Sequence, residues 1–126
     1  MADLPNLDID EIARVKAIAG SAEDGPVLML NLNRYVAEAE YPNGELYLAY
    51  RKTMADIVAE VGGRILWRTS AHGHVVGDLV IHEALGIWYP SHQAFLDLAT
   101  APSSDENMRL RALAVEAANL LRCDVY

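Results

Sequence analysis

The stretch Val27-Leu-Met-Leu-Asn-Leu-Asn-Arg-Tyr35 decides the fold of this 126-residue chain. In a β-strand, successive side chains point to opposite faces of the sheet. The two alternating sets here are Leu28, Leu30 and Leu32 on one face and Met29, Asn31 and Asn33 on the other. Because both sets begin with large apolar residues, the stretch predicts a strand that is covered on two sides.

The segments after this strand predict helices and three more strands. A long amphipathic helix fits between the turn at Tyr41-Pro-Asn-Gly44 and the stop at Gly62-Gly63. The capping box Ser103-x-x-Glu106 predicts the start of another helix, with Ala117 still on its inner side. The other predicted elements are strands over residues 64–69, 79–89 (with a bulge near Gly86) and 119–126, and a short helix opening at Pro90-Ser91.

The order β-α-β-β-α-β is that of the ferredoxin-like fold, an α+β architecture in which helices cover one face of an antiparallel four-stranded sheet. The other face would be a broad apolar surface on a lone subunit, which soluble proteins rarely expose. A second copy of the same sheet would cover it. The sequence therefore predicts a homodimer.

An extra helix precedes this pattern. Asp8 and Glu11 form a capping box at the start of an amphipathic segment that Gly20 ends. We expect an N-terminal helical extension over residues 1–25, packed on its own domain or on a second subunit, and one α+β domain over residues 26–126.

The composition argues against several classes of protein. The chain is 52% hydrophobic and 22% charged, which is typical of a folded domain rather than a disordered tail. A formal net charge of −8 without a basic run argues against nucleic acid as a partner. The single cysteine, the lack of a basic and apolar leader and the short apolar stretches predict a cytoplasmic protein with no membrane partner.

Several short motifs support a family resemblance. They are Pro26-Val-Leu-Met-Leu-Asn-Leu32, Tyr47-x-x-Tyr50, Val61-Gly-Gly-Arg-Ile-Leu66, Trp88-Tyr-Pro-Ser-x-x-Ala-Phe95, Ala99-Thr-Ala-Pro102, Arg109 and Arg111-Ala-Leu113. Together they cover about residues 26–123 and resemble a family in the dimeric α+β barrel superfamily, catalogued as domain of unknown function thirteen-thirty. The N-terminal helix is a departure, as is Trp88, where many relatives have a polar or charged residue.

The resemblance implies a dimeric α+β barrel and assigns no catalytic residue. The wider superfamily includes cofactor-independent monooxygenases, lactone isomerases, haem proteins and pure binding proteins, and a fold alone does not choose among such functions.

Four residues are candidates for the lining of a ligand pocket. Asn31 and Asn33 carry amides that need hydrogen-bond partners when buried, which a ligand carbonyl or hydroxyl group would supply. Trp88 would form an apolar wall with space beside Gly86, and Trp67 would extend it. The alternative is that the amides satisfy nearby backbone and that both indoles are core or interface packing.

Two more candidates bring polar chemistry. Tyr50, on the same side of the long helix as Tyr47, would donate a proton or orient a substrate oxygen. Arg68, whose strand runs into the histidine ribbon, is the foremost candidate to hold a carboxylate through two hydrogen bonds. The other candidates are Arg34, Arg51 and Arg64. Simple packing of the tyrosines and an ordinary ion pair of the arginine are the alternatives.

The histidines and the cysteine predict no metal or cofactor. His72-x-His74 would put two imidazoles on one side of a ribbon, but a stable zinc site needs further ligands that no spacing supplies. His82 and His92 are candidate general bases, although His92, in the first turn of a helix, is expected at the surface. Cys123 is expected to be an inert buried thiol.

These residues favour a cofactor-independent enzyme acting on a small organic molecule in an apolar, amide-lined pocket. The isomerase, cyclase and monooxygenase types of reaction all fit this expectation. The first alternative is a non-catalytic protein that binds or senses such a molecule, and the second is an assembly protein that uses its N-terminal helix as a contact. The sequence does not decide which face of the sheet holds the pocket.

Overall fold

The computed structural model describes residues 4–125, which form an antiparallel four-stranded sheet in the strand order β2-β3-β1-β4. The elements in chain order are α1 (Ile9–Ala19), β1 (Val27–Tyr35), α2 (Glu45–Glu60), β2 (Arg64–Ser70), β3 (Glu83–Tyr89), α3 (His92–Asp97), α4 (Ser104–Ala114) and β4 (Val115–Cys123). This topology confirms the predicted ferredoxin-like α+β fold, with α1 added before its first strand.

Strand β1 organises the core, because it pairs with β3 on one side and with β4 on the other. Its residues alternate between buried and half-buried positions along the whole strand. On the helix side, Val27 and Met29 pack in one apolar cluster with Ile57 of α2, Ile87 of β3 and Phe95 of α3. Burial of these side chains between sheet and helices is the main driving force for this arrangement.

Helix α1 packs on the same core. Val15 is 2% exposed and belongs to the apolar cluster, and α1 contacts α3. The Asp8 side chain accepts a hydrogen bond from the backbone amide of Glu11, as predicted for the start of the helix, and Glu11 pairs with Arg122 of β4. Ile9, in contrast, is 76% exposed.

Strand β2 lies at an edge of the sheet and contains a β-bulge. The residues on either side of Leu66 pair with the adjacent residues Gly86 and Ile87, so Leu66 is the extra residue. A bulge shifts the alternation of side chains by one position. Beyond it, Arg68 faces the helices, whereas the Trp67 ring lies against Gly86 on the opposite, outer face.

The outer face of the sheet is apolar, and none of the helices within residues 4–125 covers it. Its side chains include Leu28, Leu30, Leu32, Trp67, Trp88, Leu121 and Cys123. Trp67 is 44% exposed and Leu121 is 49% exposed. This surface is the second apolar face that the β1 sequence predicts.

The predicted boundaries of two strands are wrong. Strand β4 begins at Val115, because that residue pairs with Tyr35, and Ala117 therefore lies in the strand rather than on the inner side of the helix. Strand β3 begins at Glu83, since residues 71–82 form an irregular loop.

Some local expectations also need correction. The Ser103 hydroxyl binds the Glu60 carboxylate at 2.6 Å and does not cap α4. The bulge lies in β2, opposite Gly86, rather than in β3. His92 was predicted at the surface but is only 8% exposed, because its imidazole packs against Asp24. Cys123 is half-buried.

Candidate functional site

Glu83, the first residue of β3, is a buried carboxylate held by three hydrogen-bond donors. It is 3% exposed and lies on the helix side of the sheet. The Tyr35 hydroxyl donates to its Oε1 and the Tyr47 hydroxyl donates to its Oε2, each at 2.7 Å. The Arg68 guanidinium donates to Oε2 at 3.2 Å. These charge-assisted bonds offset the cost of removing the carboxylate from water.

The partners of Glu83 come from three other elements. Asn33 of β1 is its cross-strand neighbour, and the Asn33 amide donates to the Tyr35 hydroxyl at 3.2 Å. Tyr47 comes from the first turn of α2, and Arg68 comes from β2 beyond the bulge. Arg68 also donates to the Tyr47 hydroxyl at 3.2 Å, which continues the hydrogen-bond chain to the carboxylate. We call these five residues the Glu83 cluster.

The phenols around Glu83 are neutral donors rather than bases. Burial, reinforced by the hydrogen bond to Glu83, raises the pKa of Tyr47 to about 12. Burial and the same carboxylate raise the pKa of Tyr35 far above its usual value. Burial also raises the pKa of Tyr50, an effect that the Arg111 guanidinium partly offsets. All three hydroxyls therefore keep their protons at neutral pH.

An open groove of about 490 Å³ lies between α2 and β2. Its walls include Leu48, Arg51, Lys52, Trp67 and Arg68. Its volume is in the range of about 300 to 1,000 Å³ that is usual for small-molecule sites.

A small cavity adjoins the Glu83 cluster. Its free volume of about 10 Å³ is enough for about one water molecule. Tyr50 and Met54 line it together with members of the cluster. Arg51 and Arg68 line both the cavity and the groove, so the two adjoin at these side chains.

Aromatic rings pack around the Tyr35 side of the cluster. Tyr35 and Tyr41 stack with their centroids 5.2 Å apart, and Tyr41 stacks on His82 at 5.7 Å. The backbone amide of Tyr35 donates to Nδ1 of His82 at 2.9 Å, so this nitrogen carries no proton. The Tyr41 hydroxyl lies 2.6 Å from the Ser70 hydroxyl. These contacts hold the end of loop 71–82 against β1.

The structure brings four of the six predicted site residues to one region. Asn33 and Arg68 belong to the Glu83 cluster. Tyr50 lines the adjoining cavity, and Trp67 lines the groove.

Asn31 and Trp88 lie apart from this region and on opposite faces of the sheet. Asn31 is buried on the helix side, but its amide donates to the Met29 carbonyl at 3.1 Å, and it lines neither the groove nor the cavity. Trp88 lies on the outer face, where the Arg64 guanidinium is 4.6 Å from its ring centroid. The two residues therefore do not share a pocket within one subunit.

Sequence reasoning missed the central role of Glu83. A signal was present, because Glu83 alternates with Leu85, Ile87 and Tyr89 and so places a charge on an otherwise apolar strand face. Such a charge needs partners from other elements. Tyr35, the last residue of β1, was missed as well, although its alternation with Asn33 places it on the same face of the sheet.

Metal binding has no evident site in the described part of the chain. Within residues 4–125, no group of three or more His, Cys, Asp or Glu side chains is placed to hold a metal ion. His72 and His74 are exposed in loop 71–82. Among the helices in the same range, none has the length and apolar character needed to cross a membrane.

Solved structures with the same architecture include proteins of unknown function. One such protein from Rhodopseudomonas palustris is 27% identical, with a TM-score of 0.76, over 96% of this chain and 95% of its own. A dabb family protein with a ferredoxin-like fold from Mesorhizobium loti is 10% identical, with a TM-score of 0.52, over 81% of this chain and 98% of its own.

A third similar structure is a dimeric protein of unknown function with a ferredoxin-like fold from Bacteroides fragilis. It is 13% identical, with a TM-score of 0.52, over 80% of this chain and 97% of its own. These likenesses agree with the fold described above. No family model and no curated protein matches the chain, so the narrower family suggested by the sequence motifs stays a prediction.

Proposed function

We propose that this protein is a cofactor-independent enzyme that transfers protons on a small carbonyl compound, with Glu83 as the base. The observation that carries the proposal is the position of Glu83, a buried carboxylate next to a groove of ligand size. Arg68 belongs to both features, and this supports a route between them. A buried, hydrogen-bonded acid in a concave site is typical of catalytic carboxylates.

The proposed reaction begins when the Tyr47 hydroxyl turns its single O–H from Glu83 to the carbonyl oxygen of the substrate, which also accepts a hydrogen bond from Arg68. Glu83 then removes a proton from the adjacent carbon, and the electron pair of that C–H bond forms an enolate. Tyr47, which is still protonated at neutral pH, stabilises the enolate oxygen as a donor. In an isomerisation the substrate is a β,γ-unsaturated carbonyl compound, so the enolate extends over the double bond and Glu83 returns its proton to the γ carbon, which leaves the double bond between the α and β carbons. In a cyclisation, the enolate carbon forms a bond to a second carbonyl carbon and the proton goes to the new alkoxide.

Neither version transfers electrons to an external acceptor. The proposal therefore favours the isomerase and cyclase types over the monooxygenase type. The pocket it uses is on the helix side and is lined by phenols and charged groups, with Asn33 as its amide.

We further propose that two copies pair through the outer face of the sheet, as in a dimeric α+β barrel of the family named above. The exposed apolar side chains of that face support this pairing, because a second copy would remove them from water. The dimeric description of the similar protein from Bacteroides fragilis gives further support.

Deuterium exchange tests the catalytic proposal without knowledge of the natural substrate. Proton NMR in D2O follows loss of the signal of the protons next to the ketone of 3-benzoylpropanoate and of its methyl ester. We expect the wild-type protein to accelerate exchange of at least one of them over buffer, and Glu83→Gln to lose about 100-fold or more of that rate. Tyr47→Phe should lose about 10-fold.

Glu116→Gln is the matched control, because Glu116 is exposed and paired with Arg34 at the surface. It should exchange protons at the wild-type rate. Equal rates for wild type and buffer, or for wild type and a folded Glu83→Gln variant, would contradict the catalytic role of Glu83.

Non-catalytic binding is the second candidate function. It is favoured by the saturation of Glu83, whose carboxylate already accepts three hydrogen bonds. A protein of this kind would bind these ketones in the groove and raise its melting temperature without any proton exchange.

A further inference from the structure

The groove between α2 and β2 combines positive charge with exposed apolar surface. This combination bears on the class of ligand and not only on the reaction. From it we infer that the groove recognises a monoanionic carboxylate attached to a flat apolar body, with Arg51 as the carboxylate-binding residue. This inference rests on the proposed function, since it names the ligand class of the same site.

The charge in the groove runs against that of the whole chain. The chain has a formal net charge of −8, yet Arg51, Lys52 and Arg68 all line this one groove. Lys52 is paired with Asp56 at 2.8 Å and Arg68 with Glu83 at 3.2 Å. The Arg51 side chain has no hydrogen bond or ion pair to any other residue between positions 4 and 125. Its guanidinium is therefore available to bind a carboxylate through two parallel hydrogen bonds.

The apolar part of the groove suits a flat ligand. Leu48 is 46% exposed and Trp67 is 44% exposed, and both line the groove with Ala55 and Ile65. Covering large, solvent-exposed apolar side chains with a ligand lowers the free energy of the complex. Trp67 also belongs to the outer face that the proposed dimer covers, so only the part of its indole that lines the groove is available to a ligand ring.

The arrangement favours one negative charge over a phosphate or a nucleotide. Phosphates are usually held by backbone amides at a helix start or in a glycine-rich loop. Arg51 lies in the second turn of α2, away from its start at Glu45. The carboxylates of Asp56 and Glu83 also neutralise the two other cations, so a dianion would meet only one uncompensated positive charge.

The position of Arg51 also orients the ligand. Arg51 and Arg68 line both the groove and the small cavity beside the Glu83 cluster. A carboxylate on Arg51 therefore directs a carbonyl group farther along the same ligand toward Arg68 and Tyr47. This places the acidic C–H bond of a keto acid near Glu83, which the proposed reaction requires.

Calorimetric titration of the full chain with 2-naphthoate and 2-naphthylmethanol tests this inference, because the two probes share the flat ring system and differ in charge. We expect wild type to bind 2-naphthoate at least about 10-fold more tightly than the alcohol. In Arg51→Gln this preference should disappear while weak binding of both probes remains. Arg109→Gln, which changes an exposed arginine on α4, is the control and should keep the preference.

Equal affinity of wild type for the two probes would overturn the inference. So would an unchanged preference in Arg51→Gln, or no binding of 2-naphthoate at its solubility limit. Binding and exchange separate this inference from the catalytic proposal. If 2-naphthoate binds through Arg51 but no ketone exchanges protons, the ligand class stands and the enzyme is rejected. If the methyl ester of 3-benzoylpropanoate exchanges as fast as the acid, catalysis stands and carboxylate recognition is rejected.

Discussion

The Tyr47 hydroxyl donates a 2.7 Å hydrogen bond to the Glu83 carboxylate and so ties helix α2 to strand β3. Both residues are almost fully buried, Tyr47 at 1% and Glu83 at 3% exposure. The contact therefore stabilises the fold, in addition to its role in the proposed chemistry. Its two roles are separable, because stability is measured without any ligand.

Replacement of Glu83 should destabilise the fold. Glu83→Ala leaves the half-buried guanidinium of Arg68 and two buried phenols without their acceptor, and we expect it to lower the free energy of unfolding by about 2 to 4 kcal/mol. Glu83→Gln retains one acceptor oxygen and should cost about 1 to 3 kcal/mol. Urea unfolding followed by circular dichroism measures both. Glu116→Ala, at the exposed ion pair, should stay within about 1 kcal/mol of wild type, and a similar small loss for Glu83→Ala would show that the Glu83 cluster contributes little.

Replacement of Leu121 should separate the two subunits of the proposed dimer. Leu121 lies opposite Leu30 on the outer face of the sheet and is 49% exposed. Leu121→Lys puts a charge in the proposed interface, and the dissociation constant should rise by about 10-fold or more, since burial of an unpaired charge costs several kcal/mol. Sedimentation velocity over a concentration series measures this constant. The control is Leu113→Lys on α4, where the native residue is 52% exposed; equal behaviour of the two variants would argue against this interface.

A methyl group at position 86 should displace the indole of Trp67. A Cβ atom at Gly86 would lie 2.6 Å from Nε1 of Trp67, well inside contact distance. Gly86→Ala should therefore lower the free energy of unfolding by about 1 to 3 kcal/mol and shift the tryptophan emission maximum. Gly73→Ala is the control, because no atom lies within 4 Å of its added Cβ. An unchanged emission spectrum in Gly86→Ala would mean that the indole does not rest on this glycine.

Asp24 should make stability depend on pH in the acid range. Burial alone would raise its pKa, but the backbone amides of His92 and Gln93 and the His92 imidazole, 3.0 Å away, hold this pKa below its usual value. A lowered pKa in the folded state contributes stability above about pH 4, where the unfolded chain is also ionised, and this contribution is lost as the pH falls through the folded value.

Melting temperatures of Asp24→Asn and wild type test this sign. The variant should melt lower at pH 7, and the difference should shrink toward pH 2.5. Asp105→Asn, an exposed change in the first turn of α4, should show little pH dependence of its difference from wild type. A difference for Asp24→Asn that is constant from pH 7 to pH 2.5 would contradict the lowered pKa.

Much of the fold could be predicted because its signals are local. The two-sided strand at Val27–Tyr35 and the helix that ends before Gly62 both follow from side-chain periodicity and from a glycine stop. The join of α4 and β4 could not be predicted in this way. Residues 103–126 contain no glycine or proline that would mark the end of the helix. The strand begins at Val115 because this residue pairs with Tyr35 of β1. Pairing of this kind depends on the tertiary structure, so it cannot be predicted from the local sequence.

The candidate site was harder to predict because its members are distant in the sequence. Tyr50 and Asn33 could be singled out as polar groups on inward-facing positions. Their proximity to Glu83 depends on the β1–β3 register and on the packing of α2. Neither of these can be predicted from a local sequence pattern. The side of the sheet taken by Trp67 was equally unpredictable, since strict alternation fails at Leu66.

That extra residue in the edge strand has an evolutionary consequence. Loss of the single codon for Leu66 would join Ile65 directly to Trp67 and remove the bulge, while the indole of Trp67 stayed on the outer face and Arg68 stayed on the helix side. A chain could therefore gain or lose this residue and still keep its cation beside Glu83. Descendants of a common ancestor that differ in length at this codon would share the chemistry of the site.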